Sequence, residues 1–143
     1  MQTYEPDNIF AKILRGEIPS HKVFEDDQAL VMMDIFPQSR GHTLIIPKAA
    51  SRNLLDAGPA ALSALMPLVQ RVAKAVKAAT NADGIRLAQF NEEAAGQTVF
   101  HLHFHVIPAY AGKDLERHAD GKPADNDELA ALAKAISGEL ENA

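Results

Sequence analysis

The chain reads as an α+β domain: an antiparallel meander sheet of about five strands, with a short N-terminal helix, one long central helix and a C-terminal helix. Three observations predict it. Runs of β-branched, aromatic and aliphatic residues alternate with short polar connections, which suits antiparallel strands better than crossover units. The stretch 59–80 carries apolar residues at helical spacing. The length, 143 residues, is that of one domain and is enough to close a single core.

Taken in order, residues 1–7 are polar and read as a loose lead. Asp7 or Asn8 can cap a short helix whose apolar positions Ile9, Phe10, Ile13 and Leu14 recur at helical spacing, and Gly16 ends it. Strands follow at about 21–25 and 29–34, with Glu25-Asp26-Asp27-Gln28 as the turn. Residues 36–41 form a loop, and Thr43-Leu44-Ile45-Ile46 is a third strand stopped by Pro47. In the long helix Leu62, Leu65, Met66, Val69, Val72, Ala73 and Val76 make the apolar stripe. Pro59 suits its first turn, whereas Pro67 predicts a kink or a later start. Asn81-Ala82-Asp83-Gly84 terminates it.

A fourth strand is expected over 85–91, a turn over 92–97, and a fifth strand over 99–109. The charged, aperiodic stretch 112–123 reads as a loop. A final helix spans about 126–140, where Asp125 and Glu128 form a possible capping box and Leu129, Leu132, Ala133 and Ile136 a narrow apolar stripe. The division expected is a domain over 1–111 and an extension over 112–143 packed on it.

Composition removes several function classes. Net charge is −5 and no Lys/Arg cluster occurs, whereas a nucleic-acid polymer demands a basic stripe. There are no cysteines, so disulfides, thiolate zinc sites and cysteine nucleophiles all drop out. No apolar run reaches the length of a membrane span, and Met1-Gln2-Thr3-Tyr4-Glu5 has no signal-peptide pattern. The expectation is a soluble cytoplasmic protein.

The chemistry concentrates in His101-Leu102-His103-Phe104-His105-Val106-Ile107. On a strand, side chains two apart share a face, so the three imidazoles stand about 6.6–6.8 Å from one another in sequence order. Leu102, Phe104 and Val106 then face a core. Imidazole titrates near neutrality, so such a row can hold a phosphate, shuttle a proton or attack phosphorus. The central His103, flanked by partners on both sides, is the natural nucleophile. Its tautomer must leave one nitrogen with a lone pair while the other donates.

These residues resemble the histidine-triad (HIT) superfamily of nucleotide hydrolases and transferases. The likeness extends through Asn8-Ile9-Phe10-Ala11-Lys12-Ile13, Gly16-Glu17-Ile18-Pro19-Ser20, Asp34-Ile35-Phe36-Pro37-Gln38, Gly41-His42-Thr43-Leu44-Ile45-Ile46-Pro47-Lys48, and Asn91-Glu92 through Gly96-Gln97-Thr98-Val99. These blocks are similar to the Hint branch and span about residues 8–110. The resemblance implies that His103 attacks the α-phosphorus of a purine nucleotide and carries the nucleotidyl group. It implies supporting roles for His101 and His105, and an additional active-site role for His42. Asn91, Gln97 and Thr98 would contact the phosphate and leaving group. Asp34 would accept ribose hydroxyls, though by itself it also fits a turn cap. Ile9, Phe10, Ile13, Met32 and Ile35 would sandwich the purine. A homodimer is implied as well, its sheets joined across a two-fold axis with the long helix at the interface.

Two departures matter. Some relatives carry Cys-x-x-Cys where this chain has Asn8-Ile9-Phe10-Ala11, so no structural zinc, and no cofactor, is expected. Glu92, Glu93, Ala94 and Ala95 replace more Gly-rich loops, which bears on the leaving group. The expected activity is that of a nucleotide phosphoramidase or nucleotidyl hydrolase acting on a nucleoside 5′-phosphoramidate or an aminoacyl adenylate. Its rivals are a dinucleoside polyphosphate hydrolase, a zinc enzyme using His-x-His, and a nucleotide-binding regulatory module with little turnover.

Overall fold

The computed structural model describes residues 3–115 and 122–142. Residues 1–2 of the expected lead and 116–121 of the expected charged loop therefore lie outside the described residues. Helix α1 (Ile9–Leu14) is capped by Asn8, whose side chain accepts the Ala11 N–H at 2.9 Å. Gly16, at φ +81°, turns the chain away beyond its end. Strands β1 (Lys22–Glu25), β2 (Ala29–Met33) and β3 (Thr43–Pro47) follow as consecutive antiparallel neighbours. Asp26 Oδ1 fixes the first turn by accepting the N–H groups of Gln28 and Ala29, each at 2.8 Å. Up to this point the sheet is the expected meander.

Beyond it the order changes. Helix α2 (Pro59–Thr80) leads to β4 (Gly84–Ala88), and β5 (Phe104–Ala109) enters between β3 and β4, giving the order β1-β2-β3-β5-β4 with every pairing antiparallel. Apolar content explains the exchange. Phe104 to Pro108 are all buried, whereas Arg86 and Leu87 of β4 are exposed, so the more apolar strand takes the interior. The fourth strand is also shorter than the expected 85–91. Helix α2 begins at Pro59 and is continuous through Pro67, contrary to a later start. Pro67 and Ser63 are both exposed, so water can serve the Ser63 carbonyl that loses its partner. The buried stripe includes Leu68 and Ala75, while Met66 is 43% exposed instead of buried.

Two apolar clusters lie on opposite faces of the sheet. One joins Val31, Ile45, Leu102, Phe104 and Val106 to α2 and to α3 (Asn126–Glu141), which contributes Leu129, Leu132 and Ile136. Asp125 caps α3 by accepting the Glu128 N–H at 3.1 Å. The second, smaller cluster joins Phe10 and Ile13 of α1 to Leu30, Met32, Leu44 and Ile46. Register puts Met32 opposite Leu44 and Leu44 opposite His105, so β5 presents His105 to the α1 face. Among the described residues, no helix is long and apolar enough to cross a membrane.

Gly41 makes the bend that delivers His42. It sits at φ +99°, and a Cβ there would lie 2.5 Å from Thr80 Cγ2 and 3.1 Å from Pro108 Cγ. Gly41→Ala is therefore expected to lower stability by about 1–3 kcal/mol, combining backbone strain with the clash. Equilibrium urea unfolding measures this; an unchanged midpoint would mean that the bend relaxes at no cost.

Candidate active site

Only His105 stands in the strand ladder. The expected fifth strand over 99–109 begins instead at Phe104, so His101 and His103 come from the non-strand segment that leads into it, with His101 in a bend. The reason lies in its partner. Beyond the Ile45–Phe104 pair, β3 runs into Pro47, which has no N–H to donate. The Pro47 carbonyl is taken by the His101 ring at 2.7 Å, and the Leu102 N–H turns to Ser51 O at 2.9 Å. His103 and His105 then meet with ring centroids 4.9 Å apart and line a cavity of about 420 Å³. His101 sits behind them at 1% exposure.

Backbone partners fix the proton on each buried ring. A carbonyl can only accept, so the His101 bond to Pro47 O puts the proton on Nε2, and Nδ1 accepts from the Tyr4 hydroxyl at 2.7 Å. His103 Nδ1 lies 2.6 Å from His101 O. It therefore carries hydrogen, and the lone pair of the neutral ring is on Nε2. His42 Nδ1 accepts the Gln38 N–H at 3.0 Å, which puts its proton on Nε2, 2.9 Å from His105 Nδ1. His105 accepts there and carries its own proton on Nε2. Backbone groups thus order the protons of all four rings.

Asp34, 5% exposed, closes this set. Oδ1 accepts the Phe36 N–H at 2.8 Å, making the turn cap, and Oδ2 lies 3.5 Å from His42 Nε2. Among the described residues, Asp34, His42 and His105 bring one ligand atom each within 4.8 Å of the others, a composition that could hold a metal ion. The Gln38 N–H opposes that use. With Nδ1 of His42 engaged as an acceptor, Nε2 must keep its proton and has no lone pair for a cation. The arrangement suits a hydrogen-bond relay.

The apolar side of the cavity comes from α1 and β2. Phe10, Ile13 and Met32 are buried, while Ile9 and Ile35 are 46% and 44% exposed at its mouth. Phe10 meets the His103 ring edge-on at 4.7 Å. On the far side Thr98 is exposed and lines the cavity. Gln97 also lines it, but its amide donates to Arg52 O at 2.8 Å and Val99 O at 3.0 Å. Both N–H groups are spent in holding the loop, so Gln97 braces it in place of the expected donation to phosphate. Asn91 is outside the cavity lining; its Oδ1 accepts from Leu54 N and Gln89 Nε2, each at 2.9 Å.

Several residues that hold the site carried no signal in the sequence. Arg52, 3% exposed, makes a two-pronged bond to Glu92 at 2.8 and 3.0 Å and stacks 4.0 Å from the centroid of Phe100. The fully buried Asn53 bridges Glu92 and Gln97 at 2.6 and 3.0 Å. The hydrogen bond from Arg52 pulls the Glu92 carboxyl below its ordinary range, and the same bond raises the Arg52 guanidinium. Glu92 itself takes φ +75°, a conformation that costs about 1–3 kcal/mol and persists only where surroundings enforce it. Gln38 and Tyr4 were missed too: one acts through its backbone, and the other lies in the stretch read as a loose lead.

The HIT domain family model matches residues 15–112, and the chain belongs to that family. It is 39% identical over 123 residues to a protein of Arabidopsis thaliana named adenylylsulfatase HINT3, covering 82% of this chain and 62% of that protein. The chain thus spans less than two thirds of that relative's length. Among solved structures, a Hit-like protein of Bartonella henselae superimposes with a TM-score of 0.91 at 49% identity, covering 96% of this chain and 99% of that one. A hypothetical histidine triad nucleotide-binding protein of Sulfolobus tokodaii gives 0.85 at 34% identity, covering 93% and 91%.

Burial drives the His101 pKa below the ordinary imidazole value of about 6.5, against the opposing pull of the Pro47 carbonyl. As pH falls through 6.5 the unfolded chain binds a proton that the folded chain refuses, so this residue removes stability on acidification. His101 is expected to stay neutral, in its Nε2–H form, to lower pH than an exposed imidazole does. Long-range proton–nitrogen spectra followed against pH test this, and a His101 that protonates at or above the ordinary imidazole value would contradict the assignment.

Proposed function

We propose that this chain is a nucleotidyl hydrolase that cleaves the bond to the α-phosphate of a purine nucleoside 5′-phosphoramidate, or of an aminoacyl or lysyl adenylate, through a covalent nucleotidyl-His103. The supporting observation is the 2.6 Å bond from His103 Nδ1–H to the His101 carbonyl, in the wall of a largely apolar cavity. In the first step His103 Nε2 attacks phosphorus and the bond to the leaving group breaks, at nitrogen in a phosphoramidate or at the carboxylate oxygen in an aminoacyl adenylate; a departing amine takes its proton from water and leaves hydroxide. The ring becomes cationic, and the His101 carbonyl stabilises its Nδ1–H. His105, with its proton on Nε2, donates to a phosphoryl oxygen as charge develops, and His42 and Asp34 orient it. The hydroxide left behind, or a water that gives up one proton to solvent, then attacks phosphorus and the bond to Nε2 breaks, releasing the nucleoside monophosphate and returning the lone pair to Nε2.

In this reading Ile9, Phe10, Ile13, Met32 and Ile35 hold the purine, Asp34 accepts a ribose hydroxyl, and Thr98 donates near the leaving group. The relative named adenylylsulfatase supports a second leaving group, sulfate, expelled by the same attack on the α-phosphorus. A homodimer fits the exposure of Met66 on α2 and of Leu87 on the edge strand β4. A soluble cytoplasmic enzyme is part of the same reading.

Adenosine 5′-phosphoramidate and adenosine 5′-phosphosulfate, offered to wild type and His103→Ala in EDTA, test the proposal. Wild type should release AMP from the phosphoramidate, and the variant should lose about three orders of magnitude or more in kcat while still binding AMP. A variant within tenfold of wild type would sink the covalent route. Activity lost in EDTA and restored by zinc would make the metal reading correct instead.

A further inference from the structure

We propose that Tyr4 is a positioning residue for the His103 nucleophile, acting through the ring and carbonyl of His101; the inference rests on the nucleotidyl-histidine reading. The Tyr4 hydroxyl donates to His101 Nδ1 at 2.7 Å, and His101 Nε2–H donates to Pro47 O at 2.7 Å. The two bonds grip one imidazole from opposite sides. A half-turn of the ring would bring carbons to both partners and leave a buried hydroxyl and a buried carbonyl unsatisfied, a costly exchange. The aromatic rings add an edge-on contact with centroids 5.6 Å apart. Residue 101 is therefore held at its side chain by Tyr4 and Pro47, and the next amide is held by Ser51 O. Its carbonyl is the group that orients His103 Nδ1–H at 2.6 Å. Removing the Tyr4 hydroxyl leaves His101 Nδ1 as a buried acceptor with no donor opposite, and the ring and its carbonyl lose their register.

The same residue also sits just ahead of α1. That helix brings Phe10 to the edge of the His103 ring at 4.7 Å, so a simpler role for Tyr4 would be to fasten α1. The two roles part in what they change. A fastener sets how well the purine slot closes, and so moves nucleotide affinity. A positioning residue sets the aim of Nε2, and so moves kcat and the His103 Nδ1–H bond.

Tyr4→Phe keeps the ring and removes the hydroxyl. The expected result is a fall of about tenfold in kcat on adenosine 5′-phosphoramidate, with KM and the AMP Kd within about twofold of wild type. In proton–nitrogen spectra the downfield His103 Nδ1–H resonance should move upfield, and the His101 Nδ1 signal should lose its hydrogen-bonded shift. Tyr4→Ala, which also removes the ring, should add weaker AMP binding to the same kcat loss. Unchanged kcat and spectra in Tyr4→Phe would overturn the proposal. So would weaker AMP binding with an unchanged His103 resonance, which assigns Tyr4 to fastening alone. If wild type does not turn over the phosphoramidate, the functional reading fails, yet the two resonances still decide whether Tyr4 sets His103.

Discussion

A neutral imidazole has two nitrogens and one proton, so a row of buried histidines does nothing definite until something outside the rings says where each proton sits. Here backbone groups do that. The Gln38 N–H, which can only donate, settles His42; the carbonyls of Pro47 and His101, which can only accept, settle His101 and His103. His105 takes its order second-hand, from His42. These backbone groups cannot change their roles, and their positions are fixed by β3, by the bend at Gly41 and by the lead-in to β5. The sheet thereby writes a proton pattern into side chains that could otherwise adopt several.

That constraint also separates two chemistries with the same ingredients. Asp34, His42 and His105 have the types and closeness of metal ligands, and composition cannot tell a zinc site from a relay. The deciding atom is an amide hydrogen of Gln38. It occupies the one nitrogen of His42 that would have to bear the proton if the other were to bind a cation. A carboxylate at 3.5 Å from Nε2–H is then well placed to steady charge passing through the ring.

Much of this was legible beforehand, and what was not has a common cause. The period-two histidines, the apolar alternates Leu102, Phe104 and Val106, the capped α1 and the long α2 follow from local pattern, and local pattern is what spacing encodes. The resemblance brought His42 and Asp34 to the site, and they do lie together there. The strand order was hidden because β4 and β5 compete for an interior place, which is settled by the whole sheet. The extent of the last strand was hidden because Pro47, more than fifty residues away, ends its pairing. Gln38 acts through its backbone, which any residue but proline supplies, so its identity carries no signal. Tyr4 lies in a polar stretch with no period. Arg52 and Asn53 look like ordinary loop residues until they close on Glu92 and Gln97.

The site has two ends built from different forces. At the histidine end, His42, His101 and Asn53 are buried to 1% exposure or less and have hydrogen-bond partners, so movement there would strand polar groups in a dry interior. At the opposite end the mouth is apolar, with Ile9, Ile35 and Phe36 partly in water; packing there is non-directional and tolerates small changes of shape. Under the nucleotidyl-histidine reading the consequence is uneven selection. An apolar slot separates similar bases by only about 1–3 kcal/mol, whereas a hydrogen-bonding site penalises a substrate that leaves its polar groups unpaired far more heavily. Under that reading, with the sugar beside Asp34, discrimination belongs to the sugar, the phosphate and its leaving group. Glu92 accepts a strained backbone in the loop 92–98 that borders that end, and the Arg52 clasp holds the loop still.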